Sequence, residues 1–181
     1  KSNQKRLQSF LTGYMSEIAR HYHSVAREGG KIEDYNTAVR EYRRFLTTFP
    51  GDEQAPEINF LLADALFESE HYEDSAKEYE KTAYDYSRHN KSIEAGYASL
   101  FTYRKLYETL TTDEQRKATN QKLIGSLLKY SDRFPYDNRL PAILLTTSEN
   151  YYSLGAFNDA IQATQLLVQD RTIATGIQYK A

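Results

Sequence analysis

The sequence predicts an all-α fold, a right-handed superhelical array of antiparallel helix pairs with about eight helices. Three observations predict it. First, one stripe of residues recurs three times with identical internal spacing. Tyr35, Ala38, Val39, Tyr42, Phe45 and Leu46 form the first copy, and Tyr72, Ser75, Ala76, Tyr79, Thr82 and Ala83 the second. Phe157, Ala160, Ile161, Thr164, Leu167 and Val168 form the third. Steps of three and four place each set on one face of a helix. Second, FPGDEQAPEI (49–58) aligns with FPYDNRLPAI (134–143) at an offset of 85 residues, and these two segments hold all four prolines. Proline ends one helix and is tolerated in the first turn of the next, so such segments punctuate helix pairs. Third, small residues stand where two helices would face each other. Ala63 is on one side, Ser75 and Ala76 on the other. A pair this short buries only part of its apolar surface, so it needs neighbours.

The elements follow in order. Residues 3–28 read as one long helix, with Phe10, Tyr14, Ile18, Tyr22 and Val25 as its apolar stripe. Its basic start (Lys1, Lys5, Arg6) opposes the helix dipole, which fits a helix that was cut, so a fragment of a larger protein is expected. Gly29-Gly30 stops this helix, and Asp34 is expected to cap the next, over 34–48. Helix three is expected over 54–69, ending in a turn before helix four at 72–86, where Asp74 suits the first turn. Helix five covers 91–109. Thr111-Thr112-Asp113-Glu114 opens helix six, to about 132. Helix seven spans 138–153 and stops at Gly155, and helix eight spans 156–169. The tail from Asp170 gives only a weak helical pattern. The pairs are therefore expected at about 10–50, 54–87, 91–135 and 138–170, in one array over 1–181.

Composition narrows the function classes. The net charge is −2 with both signs interspersed, which argues against a dedicated nucleic-acid or anionic-membrane surface. No apolar run approaches the ~20 residues of a membrane-spanning helix. Cysteine is absent, which removes disulfides and thiolate metal sites. The 16 tyrosines fall mostly at helical spacing, so they are expected to pack between helices with hydroxyls at the rim.

Few residues point to chemistry. There is no Gly-rich phosphate loop. His21 and His23 diverge by about 200° on a helix and cannot share a metal. His71 and His89 fall in polar turns. Glu68, Glu70, Glu73 and Asp74 read as a solvated acidic turn. No serine has a histidine and an acid in a recognisable constellation, so no catalytic residue, metal or cofactor is expected.

The stretches SENYYSLGAFNDAIQAT (148–164) and LADALFESEHYEDSAKEY (62–79) carry a small residue in a first helix, a turn, an aromatic, an alanine three or four residues on (Ala160 after Phe157, Ala76 after Tyr72), and a further helical stripe. In this the chain resembles the tetratricopeptide repeat family, over about residues 10–170. It departs from the family pattern in lacking Trp, in the expanded turn at 28–31, and in an insertion around 109–115. In overall style it is similar to the envelope-associated tetratricopeptide proteins of Gram-negative bacteria, which would imply a periplasmic or outer-membrane-associated location.

The resemblance implies that first helices line a concave groove. By that register the groove would present Phe60, Asp64 and Phe67, with Glu68 beside them, then Tyr97, Phe101 and Arg104, then Glu149 and Tyr152, with Leu145 nearby. Rings between carboxylates suit a protein or peptide segment with apolar anchors and basic residues. The expected function is a non-catalytic interaction scaffold. The alternative is a structural spacer or self-association module whose groove is filled by its own chain. A third reading has this part position an enzymatic domain elsewhere in a longer protein.

Overall fold

The computed structural model describes residues 2–29 and 31–169, and these form eight α-helices and no strand. They are α1 (Ser2–Gly29), α2 (Ile32–Thr48), α3 (Ala55–Glu68), α4 (Tyr72–Tyr84), α5 (Ser92–Thr109), α6 (Asp113–Arg133), α7 (Leu140–Ser153) and α8 (Phe157–Gln169). The all-α expectation holds, with most boundaries within two residues. The tail after Gln169 lies outside the described residues. No described helix is long and apolar enough to cross a membrane. The chain divides into two compact units, Lys1–Thr102 and Tyr103–Ala181.

In the first unit α1 packs on α2, α2 on α3, and α3 on α4. The stripe of α2 is inside as expected. Tyr35, Ala38, Val39, Tyr42 and Phe45 are buried, and they meet Ile58, Leu62, Ala65 and Leu66 of α3 in one core. The facing small residues of α3 and α4 also behave as predicted. Ala63 and Ala76 are fully buried, and the helices approach so closely that Ser75 Oγ donates to the Ala63 carbonyl at 2.8 Å. Asn59 is buried with its amide satisfied, donating to the Glu78 carbonyl at 2.8 Å and to Thr82 Oγ1 at 2.9 Å.

The first helix differs from expectation in which face it buries. Phe10 is 68% exposed and Tyr14 56%, and Tyr22 and Val25 are exposed as well. The buried face is instead Thr12, Ser16, Ala19, His23 and Ala26. Both sets have helical spacing. Small side chains allow close approach to α2, and His23 finds hydrogen-bond partners only on the inner side, so packing and polar satisfaction outweigh ring size. A second departure concerns α2. It begins at Ile32, and Asp34 sits in its first turn without a capping side-chain bond, with Lys31 at the cap position.

The second unit packs α7 against α8, and α6 against α8. Its core holds Leu123, Leu127, Tyr130, Leu140, Leu144 and Tyr151. Thr112 caps α6 as its sequence predicts, with Oγ1 accepting from the Gln115 N–H at 3.3 Å. The stripe of α8 is only half inside. Within it Ala160 is buried and Thr164 half-buried, whereas Phe157, Ile161 and Val168 are each more than half exposed, and the helix buries Ala163 from outside the stripe. In α2 the corresponding outer half is covered by α3. Among the described residues no helix follows α8 to do the same.

The two proline segments are the same structure twice. Phe49 and Phe134 leave their helices at φ −131° and −130°. Each donates to the residue four back at 2.8 Å. Asp52 Oδ1 accepts from the Gln54 N–H at 3.0 Å, and Asp137 Oδ1 from the Arg139 N–H at 2.8 Å. The rings match too: Phe45 meets Phe49 edge-on at 5.7 Å, and Tyr130 meets Phe134 at 5.3 Å. The internal repeat read from residue identities is thus a repeat of backbone conformation and of side-chain bonding.

Candidate functional site

Two places combine polar chemistry with access, one in each unit. In the first, a polar network joins three helices. His23, 3% exposed, places Nδ1 3.1 Å from the Tyr42 hydroxyl and Nε2 2.7 Å from Glu68 Oε2. The Glu68 carboxylate can only accept, so Nε2 carries the proton. In the neutral ring Nδ1 then accepts from Tyr42. Arg27 Nε donates to Glu68 Oε1 at 2.9 Å. Nearby, Asp64 accepts from the Tyr79 hydroxyl. Burial pushes the Asp64 carboxyl above the usual range, while the Tyr79 bond and the Arg27 charge pull it back. Burial likewise pushes the Tyr42 and Tyr79 phenols up. Every polar group here has a partner, which marks a structural brace. Glu68 therefore departs from the reading of a solvated acidic turn, since it ties α3 to α1. His89, read as a polar-turn residue, is half-buried and also a brace. Its Nδ1 accepts from the Lys91 N–H at 3.2 Å and its Nε2 donates to the Thr82 carbonyl at 3.0 Å.

In the second unit an open cleft of about 440 Å³ lies between α5, α6 and α7. Arg104 and Tyr107 of α5 form one wall, Asn120 and Leu123 of α6 the floor, and Thr147, Asn150 and Tyr151 of α7 the other wall. A second depression of about 530 Å³ meets it at Tyr107, Asn120 and Leu154, and runs on past Arg116, Lys117 and Asp159. The Tyr151 hydroxyl donates to the Asn120 carbonyl at 3.3 Å, which ties α7 to α6 beneath the cleft. Arg116 is held by its Nε donating to the Leu110 carbonyl at 3.1 Å and lies over the Tyr107 ring at 5.5 Å.

The residues expected to line a groove fall in several environments. Phe60 is 7% exposed, edge-on to Tyr79 at 5.5 Å with Lys91 Nζ 4.8 Å over its ring, so it belongs to the packing of the first unit. Asp64 is engaged by Tyr79. Phe67 is half-buried between Tyr72 and Phe101, at 5.2 and 5.8 Å. Tyr97 and Phe101 are exposed on α5. In the second unit Arg104 lines the cleft, while Glu149 and Tyr152 are exposed on α7 beside it, outside its lining. Tyr152 is 70% exposed and edge-on to Phe157 at 5.6 Å.

Sequence reasoning missed Tyr107, Asn120, Asn150 and Tyr151. One signal was available. Asn120 interrupts a stripe that runs on through Leu123, Ile124 and Leu127, and an amide in the middle of an apolar helix face is unusual. Among the described residues no group of three His, Cys, Asp or Glu side chains could hold a metal ion. A scan against known protein families gives no match for this chain, and no curated protein matches it.

Proposed function

We propose that this chain is a non-catalytic protein-interaction scaffold that takes an extended protein or peptide segment in the cleft of its second unit. The observation that carries the reading is the cleft itself. It is open along its length, walled by two tyrosines, and furnished with the side-chain amides and hydroxyl of Asn120, Thr147 and Asn150, which hold no bond to the side chains of the described residues. Such a lining suits a ligand with many neutral hydrogen-bonding groups and some apolar side chains. Tyr152, Leu154 and Phe157, all more than half exposed, supply an apolar rim at one end. Membership of the tetratricopeptide-like arrays and a cell-envelope location are further proposals. The internal repeat supports the first, and only the resemblance to envelope proteins supports the second.

The test is selection of a phage-displayed peptide library on the purified protein, followed by titration of a recovered peptide. Arg104→Glu and Leu154→Lys are expected to weaken that peptide by at least about tenfold while the helical content is kept. Binding should soften with salt but retain a salt-resistant part from the apolar rim. Recovered peptides that bind both variants as well as the parent would remove the cleft from consideration.

Self-association has one observation of its own. Phe10 and Tyr14 stack in parallel on the exposed face of α1, with centroids 6.3 Å apart, and Leu7 and Leu11 are exposed beside them. Sedimentation of the parent and of Phe10→Glu with Tyr14→Glu tests it, and a monomeric parent at high concentration ends that reading.

A further inference from the structure

Asn120 stands out among the buried polar groups of this protein. It is 7% exposed, yet no described residue takes a hydrogen bond from its side-chain amide or gives one to it. Among the described residues, the bond it makes beyond the ladder of its own helix runs from the Tyr151 hydroxyl to its main-chain carbonyl. Asn59 gives the contrast, because it is fully buried and its amide donates to two acceptors. The N and O of this amide are not shut away from solvent, so in the free protein their bonds are left to the cleft, and a ligand that fills the cleft must supply them. The Asn120 side chain opens on both depressions of the cleft, at the place where they meet.

We infer that Asn120 reads the main chain of an extended peptide, its amide N–H donating to the carbonyl and its amide oxygen accepting from the N–H of one peptide residue. This rests on the cleft being the binding site. The geometry of the ligand follows from the chemistry. A primary amide presents a donor and an acceptor side by side in one plane. In an extended chain the N–H and C=O of a single residue point to the same side, so one residue satisfies both. The charges around the cleft also favour a neutral group. Arg104, Arg116 and Lys117 are balanced by Glu108, Asp113 and Asp159, so neither a polyanion nor a polycation is selected. The trough continues in both directions from Asn120, which suits a chain passing across it. Recognition at this point is therefore independent of peptide sequence. Side-chain selection falls to the rim at Leu154 and Phe157.

The experiment uses Asn120→Leu and a peptide recovered by display selection. In the free protein no side-chain bond is lost, so the variant should melt at or above the parent temperature. Its affinity for the peptide should fall about 10- to 30-fold, the loss of two neutral hydrogen bonds. A scan of the same peptide, replacing one backbone amide at a time by an ester, should then find one position where the ester weakens binding to the parent but not to Asn120→Leu. A clear drop in melting temperature would make the amide structural and overturn the inference. So would a peptide that depends on Leu154 but binds Asn120→Leu as tightly as the parent, and that outcome would leave the cleft as the site. A peptide indifferent to Arg104, Leu154 and Asn120 alike would end both proposals.

Discussion

Glu70 and Gly155 occupy the same place in two copies of one helix hairpin, and both hold the left-handed backbone, at φ 64° and 72°. The bonds around them correspond one for one. The His71 N–H donates to the Leu66 carbonyl at 2.8 Å, and the Ala156 N–H to the Tyr151 carbonyl at 2.9 Å. Glu70 donates to Phe67 and Gly155 to Tyr152, each at 3.0 Å. This pattern closes a helix C-terminus around a residue for which glycine is the natural choice. The first copy makes the turn with a glutamate, at a steric cost of about 1–2 kcal/mol that the second copy avoids.

Glu70→Gly should therefore stabilise the protein. Relief of the left-handed strain is offset in part by the greater freedom of glycine in the unfolded chain, which leaves a net gain of about 0.5–1 kcal/mol. Gly155→Ala, the reciprocal change, should cost about 1 kcal/mol. Denaturant titration of the two variants checks both signs. A Glu70→Gly protein less stable than the parent would show that the glutamate side chain has a bonding role at this turn.

Much of this fold was legible because the pattern is redundant. The stripes of α2 and α4 carry small residues at the points of closest approach and aromatics between them, and tertiary packing agrees with periodicity at both. The proline segments were legible for a stronger reason. Asp52 and Asp137 each bond the main chain two residues on, a local interaction that does not depend on what packs above it. The face of α1 was not legible. Its two stripes have the same period, and size alone favoured Phe10 and Tyr14. The choice is made by His23, whose partners Tyr42 and Glu68 are distant in sequence. The cleft was hidden for a related reason. Register on α7 comes from the resemblance to tetratricopeptide repeats, which points to Glu149 and Tyr152, whereas the cleft is lined by their neighbours Thr147, Asn150 and Tyr151.

The small-residue contact between α3 and α4 makes a second prediction. Ala63 and Ala76 are fully buried where α3 meets α4. Ala63→Trp or Ala76→Trp should destabilise the protein by about 1–3 kcal/mol or more, because no volume is left for the ring. Ser75→Ala, which removes only the bond to the Ala63 carbonyl, should cost about 0.5–1.5 kcal/mol. Thermal unfolding of the three variants gives the comparison. A tryptophan variant that melts with the parent would mean that the helices separate at little cost.

Acid should act through Asp137. Hydrogen bonds from Arg139 hold its carboxyl down to about 2, with the Tyr130 hydroxyl also donating to it. A depressed carboxyl stabilises the fold at pH values above its ordinary range, and that contribution disappears as the pH falls from about 4 to about 2. Its size is about 1–2 kcal/mol once the solvent screening of the partly exposed Arg139 is counted. Asp64 works in the opposite sense. Burial raises its carboxyl, so its contribution is present at low pH and lost as the pH rises through the raised value. Asp137→Asn should therefore be less stable than the parent at neutral pH and converge on it toward pH 2. Parallel curves for the two proteins would rule out this carboxylate as the acid-sensitive group.

The brace between α1 and α3 separates a charge effect from a hydrogen-bond effect. Glu68 receives two kinds of partner, the buried ring of His23 at 2.7 Å and the half-exposed guanidinium of Arg27 at 2.9 Å. An ion pair to an exposed arginine contributes little, typically under about 1 kcal/mol. A buried imidazole N–H left without an acceptor costs more, about 1–3 kcal/mol. Glu68→Gln keeps an acceptor oxygen for His23 and removes only the charge, so it should cost less than about 1 kcal/mol. Glu68→Ala removes both and should cost about 2–3 kcal/mol. Arg27→Ala, which leaves the His23 bond in place, should resemble the glutamine variant. The measurement is denaturant unfolding of all three at neutral pH, with the α1 amides followed by hydrogen exchange. If Glu68→Gln and Glu68→Ala fall together, the charge holds α1 in place and the buried histidine bond adds nothing. If Glu68→Ala alone loses protection along α1 while α4 stays protected, the brace acts locally, through the ring of His23 and the face that the bulky residues of α1 leave free.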